Sequence, residues 1–287
     1  MPSQELSELN VDLGISTMCT RLDLFVERSL VSLARATEEC KNTHFRFLVV
    51  VQDVESEQSA IRVEELISEA LLKQDVQIIL DQRKGLSRSR NQILEKFEGD
   101  FLMICDDDIE YTKNSLREIM KVVESSDMDF YSFMLFTPDG ENYKEYKAST
   151  FVHNMKTIAS VSSVEVILRS TVKKSGVIFD SSFGRGARWP CGEENIFLAD
   201  LIRKGLKGAF VPVKIGSHPK PLDAESMSNQ ELTCKGASLT RTYGRRISLA
   251  AVLYLWLRKS RPLRFRDLGA LLSGRREYLK SLKEEPV

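Results

Sequence analysis

Asp106-Asp107-Asp108 closes the apolar run Phe101-Leu102-Met103-Ile104-Cys105, and no other stretch of this 287-residue chain crowds carboxylates so closely behind apolar residues. Three adjacent carboxylates repel one another, which is costly unless a cation or hydrogen bonds offset it. The apolar run reads as a buried strand, and the carboxyl ends of strands in an open α/β sheet are where ligands bind. A hard divalent ion carrying a phosphate ester suits such a cluster, because carboxylate oxygens ligate magnesium or manganese and leave positions for diphosphate oxygens. In this spacing Asp106 and Asp108 can face one cation while Asp107 points elsewhere. The competing reading is an acidic turn whose carboxylates cap the helix expected at 113–123 and favour its dipole.

Three further groups carry chemistry. Gly85-Leu86-Ser87-Arg88-Ser89-Arg90-Asn91 is a flexible turn opening a helix, with arginines able to pair with the aspartates or with phosphate. Gly192-Glu193-Glu194 starts a helix after a loop rich in glycine and arginine (183–192), and a carboxylate there can take a proton from an attacking hydroxyl. The same acids also simply favour the helix dipole. His218, before Pro219, lies beyond the last expected strand and becomes a candidate third metal ligand.

The elements that position these groups alternate. Strands are expected at 13–18, 45–51, 76–80 and 101–105, with helices at 23–40, 60–73 and 89–97 between them, the pattern of right-handed βαβ units. The second half is less regular. It offers strands at 130–136, 161–168 and 208–213, the turn Thr137–Gly140, and a helix at 193–204 stopped by Gly205. From Lys235 the chain is helical and basic, and Ile247–Leu257 is apolar nearly all round between Arg245-Arg246 and Arg258-Lys259. That helix is either buried with solvated ends or lies on an anionic lipid surface.

The totals exclude several classes. Lysine plus arginine and aspartate plus glutamate each number 41, so no net field draws the chain to nucleic acid. The charge is unevenly spread: residues 236–287 carry 12 basic against 4 acidic side chains, a net of +8, leaving −8 on the rest. Five cysteines without a CxxC, and three histidines, argue against a zinc site and for free thiols in a reducing compartment. The first residues lack a basic-then-apolar leader, and no apolar stretch reaches the roughly 20 residues needed to span a bilayer. A cytoplasmic-type protein is expected.

The order of motifs resembles the family 2 glycosyltransferases of GT-A fold, particularly bacterial members acting on surface polysaccharides. The resemblance runs through most of residues 10–220 and continues weakly at Lys235-Gly236-Ala237, Arg241 and Gly244. The family's Arg-Asn signature falls at Gly85–Asn91, its DxD motif at Asp106–Asp108, its Phe-Asp-x-x-Phe-Gly stretch at Phe179–Gly184, and its Gly-Glu-Asp motif at Gly192–Glu194. It implies an α/β nucleotide-diphospho-sugar transferase fold, with a mostly parallel central sheet flanked by helices and a helical C-terminal extension. The implied parts are a nucleotide-sugar half (8–115), an acceptor-binding and catalytic half (116–220) and the basic extension (221–287).

The implied function is inverting, metal-dependent transfer of a sugar from a nucleotide diphosphate, a UDP-sugar by first choice, to a hydroxyl of a glycan or lipid-linked acceptor. Glu194, or its neighbour Glu193, would be the base. Asp53, Arg83, Arg88, Arg90, Asn91, Asp106 and Asp107 would hold the donor, and Arg188 and Trp189 the acceptor. Asp106, Asp108 and His218 would hold Mn2+ or Mg2+. The basic C-terminal helices would contact the inner face of the plasma membrane, and no nucleic-acid partner is implied.

The chain departs from the family at Asp53-Val54-Glu55-Ser56, where many members have Asp-Asp-Gly-Ser, and at Cys19-Thr20-Arg21, where Asn-Arg is usual. Two other readings compete. A sugar-phosphate nucleotidyltransferase needs a glycine-rich, lysine-bearing loop after the first strand, which 13–21 lacks. A non-catalytic carbohydrate-binding protein would have little use for acids at 106, 108 and 194 together.

Overall fold

A computed structural model describes residues 8–220, 227–259 and 265–284. The chain divides into two compact units. The first holds residues up to 84, then 88–178 and 201–220; the second holds 85–87, 179–200 and the chain from 221.

Among the described residues all nine strands belong to the first unit, in one sheet of order β3-β2-β1-β4-β8-β6-β9-β5, with β7 on β9. β1 (Leu9–Met18), β2 (Thr43–Gln52), β3 (Asp75–Asp81) and β4 (Phe101–Asp106) pair in parallel. Their near-continuous apolar residues match a sheet covered on both faces: Leu13, Phe47, Val49 and Leu102 are wholly buried. The connections are helical. After β1 the chain runs through α1 (Leu22–Phe25), a π turn at Val26–Leu30 and α2 (Val31–Thr37). α3 (Glu57–Ala70), capped by the Ser56 side chain, and α4 (Leu86–Lys96) make the next two crossovers.

β5 (Glu110–Tyr111) is a two-residue strand that the sequence reading missed. It precedes α5 (Ser115–Ser125), whose N-cap Asn114 makes no side-chain cap bond. The aspartates are therefore set apart from that helix by a strand, and they do not cap it.

β6 (Phe130–Phe136) and β9 (Gly208–Ser217) pair in parallel, while β8 (Val166–Arg169) runs antiparallel between β4 and β6. β6 and β9 thus run in the same sense as β1–β4, and all six end at one edge. β7 (Phe151–Val152) is another short strand that was not expected. The expected strand at 161–168 is corrected: only its end is strand. Ser162 and Glu165 form a reciprocal capping box that turns 163–165 into a 3-10 turn. Glu165 stays buried there by accepting from Lys144 Nζ at 2.8 Å and Tyr146 OH at 2.6 Å. α6 (Ser170–Lys174) follows β8.

The second unit is helical. α7 (Glu193–Arg203) begins in it, and α8 (Asn229–Lys259) and α9 (Phe265–Glu284) pack against each other. Gly244, at φ +74° and ψ 172°, breaks α8 into 229–243 and 245–259, a conformation glycine adopts without side-chain strain. Where the first half of α8 crosses α9, a Cβ on Gly236 would collide with the Leu271 carbonyl and one on Gly274 with the Thr233 carbonyl. Two glycines thus let the backbones touch.

Candidate functional site

In the first unit the strand ends gather the polar residues. β1 pairs with β4 so that Ser16 stands beside Asp106, which brings Thr17 and Arg21 next to the aspartates. β5 pairs with the end of β9, Glu110 opposite Ser217, which brings His218 to the same turn. The carboxylates then separate by partner. Asp106 Oδ1 receives a 2.9 Å ion pair from Arg90, whose guanidinium is 1% exposed and also donates to Ser163 Oγ. Asp107 accepts from Thr17 Oγ1 at 2.8 Å and pairs with Arg21 at 2.9 Å. Asp108 meets Arg21 at 3.2 Å through one oxygen and His218 Nε2 at 3.3 Å through the other.

Electrostatics differ along the triplet. Burial pushes the Asp107 carboxyl up to about 6, against the opposing pull of Thr17 and then Arg21. Burial acts on Asp108 in the same direction, but the hydrogen bond and charge of His218, followed by those of Arg21, outweigh it and hold Asp108 at about 2. The same bond raises His218. Its Nδ1 faces the Pro219 carbonyl at 2.7 Å, so the ring donates on both sides when it is protonated.

That geometry bears on a divalent cation. Nδ1–H donating to a backbone carbonyl fixes the tautomer that leaves Nε2 free to ligate, the usual outer-shell arrangement of a metal-binding histidine. Two cis ligands of an octahedral cation at about 2.1 Å lie about 3.0 Å apart, close to the 3.3 Å between Asp108 Oδ1 and His218 Nε2. Asp108 and His218 thus fit a two-donor set, while Asp106 is turned to Arg90. Among the described residues no group of three or more His, Cys, Asp or Glu side chains is gathered for a metal ion.

The other expected donor residues belong to the same unit. Asp53 follows β2 with φ +65°, the one described non-glycine residue of positive φ, and its carboxylate pairs with Lys84 at 3.0 Å. Backbone held in that region is a frequent mark of functional loops. Arg88 forks onto Asp81 at 2.8 and 3.3 Å, and Arg83 donates its backbone N–H to the same carboxylate. The Arg83 side chain is exposed, and Asn91 is half-buried on α4. Gln52, Ser89 and Ser16 form a buried hydrogen-bonded chain from β2 through α4 to β1. Thr17, Arg21 and Asp81 were missing from the expected donor set. Thr17 and Asp81 share one signal, a polar residue at the end of an apolar strand, while Arg21 lies in the turn that follows β1.

The second unit holds the remaining candidates. Glu193 is buried and Glu194 half-buried at the start of α7. The loop before them is braced by Gly184 N–H donating to the Trp189 carbonyl and by Ser87 Oγ donating to the Phe183 carbonyl. Trp189 is itself core, stacked on Phe183 with centroids 5.0 Å apart and edge-on to Tyr278. Arg188 is exposed and lies 4.6 Å over the Trp189 ring. Beside them is a pocket of about 280 Å³ whose walls include Arg188, Asn229, Gln230, Thr233 and Glu277. The Phe-Asp-x-x-Phe-Gly stretch has a structural part here. Phe179 stacks on Phe197 at 4.1 Å, and Asp180, with Asp200, pins Arg241 by 2.8 Å bonds.

Among solved structures, S. aureus TarS 1-349 in complex with UDP-GlcNAc aligns over 93% of this chain and 81% of its own, with TM-score 0.61 and 15% identity. The mannosyltransferase PcManGT from Pyrobaculum calidifontis, in complex with GDP-Man and Mn2+, aligns over 94% of this chain and 86% of its own, with TM-score 0.58 and 11% identity. These likenesses establish the GT-A fold. No curated protein sequence matches the chain. Residues 24–188, more than half of the chain, match the model of glycosyl transferase family 2. This sugar-transferring enzyme belongs to glycosyl transferase family 2.

Proposed function

We propose that the protein is an inverting transferase moving a sugar from a nucleotide diphosphate to a hydroxyl of a glycan or lipid-linked acceptor, in bacterial surface-polysaccharide synthesis. The supporting observation is the Asp108–His218 pair, set among arginines at the edge where the parallel strands end. That PcManGT binds GDP-Man and Mn2+, and TarS UDP-GlcNAc, supports the donor class. UDP-sugar is the first choice of donor.

Asp108 and His218 would hold Mn2+ or Mg2+, with Asp106 at the flank of the site. A bound cation there would neutralise charge developing on the leaving nucleotide diphosphate. Asp107 and Asp53 orient the nucleoside and sugar, Arg83, Arg88 and Arg90 set the positive field around them, and Asn91 offers a neutral side-chain amide to the donor. Glu194, the more exposed of the two helix-start acids, takes the proton from the acceptor hydroxyl, which attacks the anomeric carbon from the face opposite the leaving group. Glu193 is the alternative base. Arg188 and Trp189 line the acceptor path. The basic C-terminal helices hold the enzyme at the cytoplasmic face of the membrane.

The test is a thermal-shift series with UDP, GDP and their sugars, with and without manganese. A manganese-dependent rise that Asp108→Asn removes supports the reading; no rise with any nucleotide sinks it in favour of a non-catalytic carbohydrate-binding protein. Glu194→Gln keeps the donor-induced shift and loses transfer; near-full turnover by that variant would shift the base to Glu193.

A further inference from the structure

The second half of α8 and the facing part of α9 carry a surface that sugar transfer does not use. Toward α9, Ser248 and Val252 are fully buried. Arg275 clamps the two helices, its Nε donating to Ser248 Oγ at 3.1 Å and its Nη2 to the Arg245 carbonyl at 2.9 Å. Alongside that clamp runs a groove of about 420 Å³. Among the described residues its walls are five cations, Arg245, Arg275, Arg276, Lys280 and Lys283, with Leu272 and Leu279 between them and no carboxylate. Of the nearby acids, Glu277 accepts from Ser273, and Glu284 faces the groove's own Lys280 at 3.5 Å as an exposed pair.

The outward face of the same helix is apolar. Ile247 is 61% exposed, Leu257 57% and Tyr254 52%, with Leu249 and Leu253 also exposed. At 100° per residue Ile247, Leu253, Tyr254 and Leu257 share the face away from Ser248 and Val252, with Leu249 at its margin. Exposed Arg246 and Arg258 bracket them. At the far end Trp256 lies 5.7 Å from the ring of Phe265, which is itself 81% exposed.

We infer that the 245–258 face of α8 and the five-cation groove beside it form a docking surface for an anionic phospholipid bilayer. This deepens the membrane contact proposed above, from basic helices in general to named faces and a lipid class. The two halves of the surface call for two layers of one partner: phosphate headgroups for the groove, and an acyl boundary for leucines, isoleucine and tyrosine that bury 5–10 Å deep. Nucleic acid meets the first demand and not the second. Tryptophan and tyrosine suit the boundary because one edge of each ring is apolar and the other polar.

The experiment is flotation of the full chain with vesicles of phosphatidylglycerol and phosphatidylcholine in equal parts, against phosphatidylcholine alone. Binding is expected to the mixed vesicles only, and to weaken with salt. Arg276→Glu/Lys280→Glu/Lys283→Glu is expected to lose roughly tenfold or more in partitioning, and Leu253→Glu/Leu257→Glu to lose a similar amount. None of these residues is buried or clamps the helices, and circular dichroism of each variant checks the fold. Equal binding to both vesicle types, or no binding to either, overturns the inference. So does a groove filled by inorganic diphosphate or polyuridylate in a chain that fails to float. Donor-induced thermal shifts measured without vesicles are unaffected by these variants, so failure here is distinguishable from failure of the glycosyltransferase reading.

Discussion

Asp106, Asp107 and Asp108 are chemically identical and adjacent, yet each has a different partner: buried Arg90, Thr17 with Arg21, and His218 with Arg21. Removing one member of a buried ion pair leaves the other without compensation. Arg90→Met is therefore expected to lower stability by roughly 3 kcal/mol, read by urea denaturation, with the cost moderated because Asp106 keeps some solvent. A loss below about 1 kcal/mol would make the pair no more than a surface contact.

A second residue-scale prediction concerns His153, which is buried against Ser132 and lies 5.7 Å from the Phe130 ring centroid. Burial first, then the charge of Lys144, depresses it from the ordinary 6.5 to about 4. The unfolded chain therefore binds a proton between pH 6.5 and 4 that the folded chain refuses, so this contribution is intact above 6.5 and lost as pH falls. The slope is at most about 1.4 kcal/mol per pH unit. His153→Gln, measured at pH 7 and pH 5, is expected to flatten that difference; an unchanged slope would locate the acid sensitivity elsewhere.

At the scale of elements, short pieces decide what long ones display. β5 is only two residues, but its register with β9 seats His218 beside Asp108. The long elements were legible because burial imprints apolar runs on the strands and a helical period on the helix: strands 1 to 4, β6 and α7 were all read within a few residues. β5 and β7 were not, since two residues carry no period, and the expected strand at 161–168 failed because Ser162 and Glu165 satisfy a turn locally. The crossing of α8 on α9 was also invisible, because two isolated glycines announce nothing until the helices are set together. Gly274→Ala is expected to force the Thr233 carbonyl away and to cost about 2 kcal/mol or more. Gly269→Ala on the same helix meets nothing and is expected to be neutral or stabilising. Thermal denaturation of the pair checks this, and equal effects would mean that the close approach is not rigid.

For the molecule as a whole, the polar ends of β1, β2, β3, β4 and β9 gather at one edge of the sheet, brought together from strands at 9–106 and 208–217. If they act together on one nucleotide diphosphate, hydrogen exchange should slow jointly at 16–21, 52–54, 81–84, 105–109 and 216–219 when UDP and manganese are added. Protection confined to the aspartate turn would mean that the other strand ends serve only the fold. The acidic triplet, the arginine turn, the helix-start glutamates and the basic tail are local facts, set by residue order, and the sequence alone determined them along with the α/β class. Which carboxylate meets which cation, and which face of 245–258 is left outward, depended on strand order, register and helix crossing. Those rest on contacts between residues far apart in the chain, whose loop-closure cost is repaid only when the whole sheet or helix pair forms, so no local pattern encodes them.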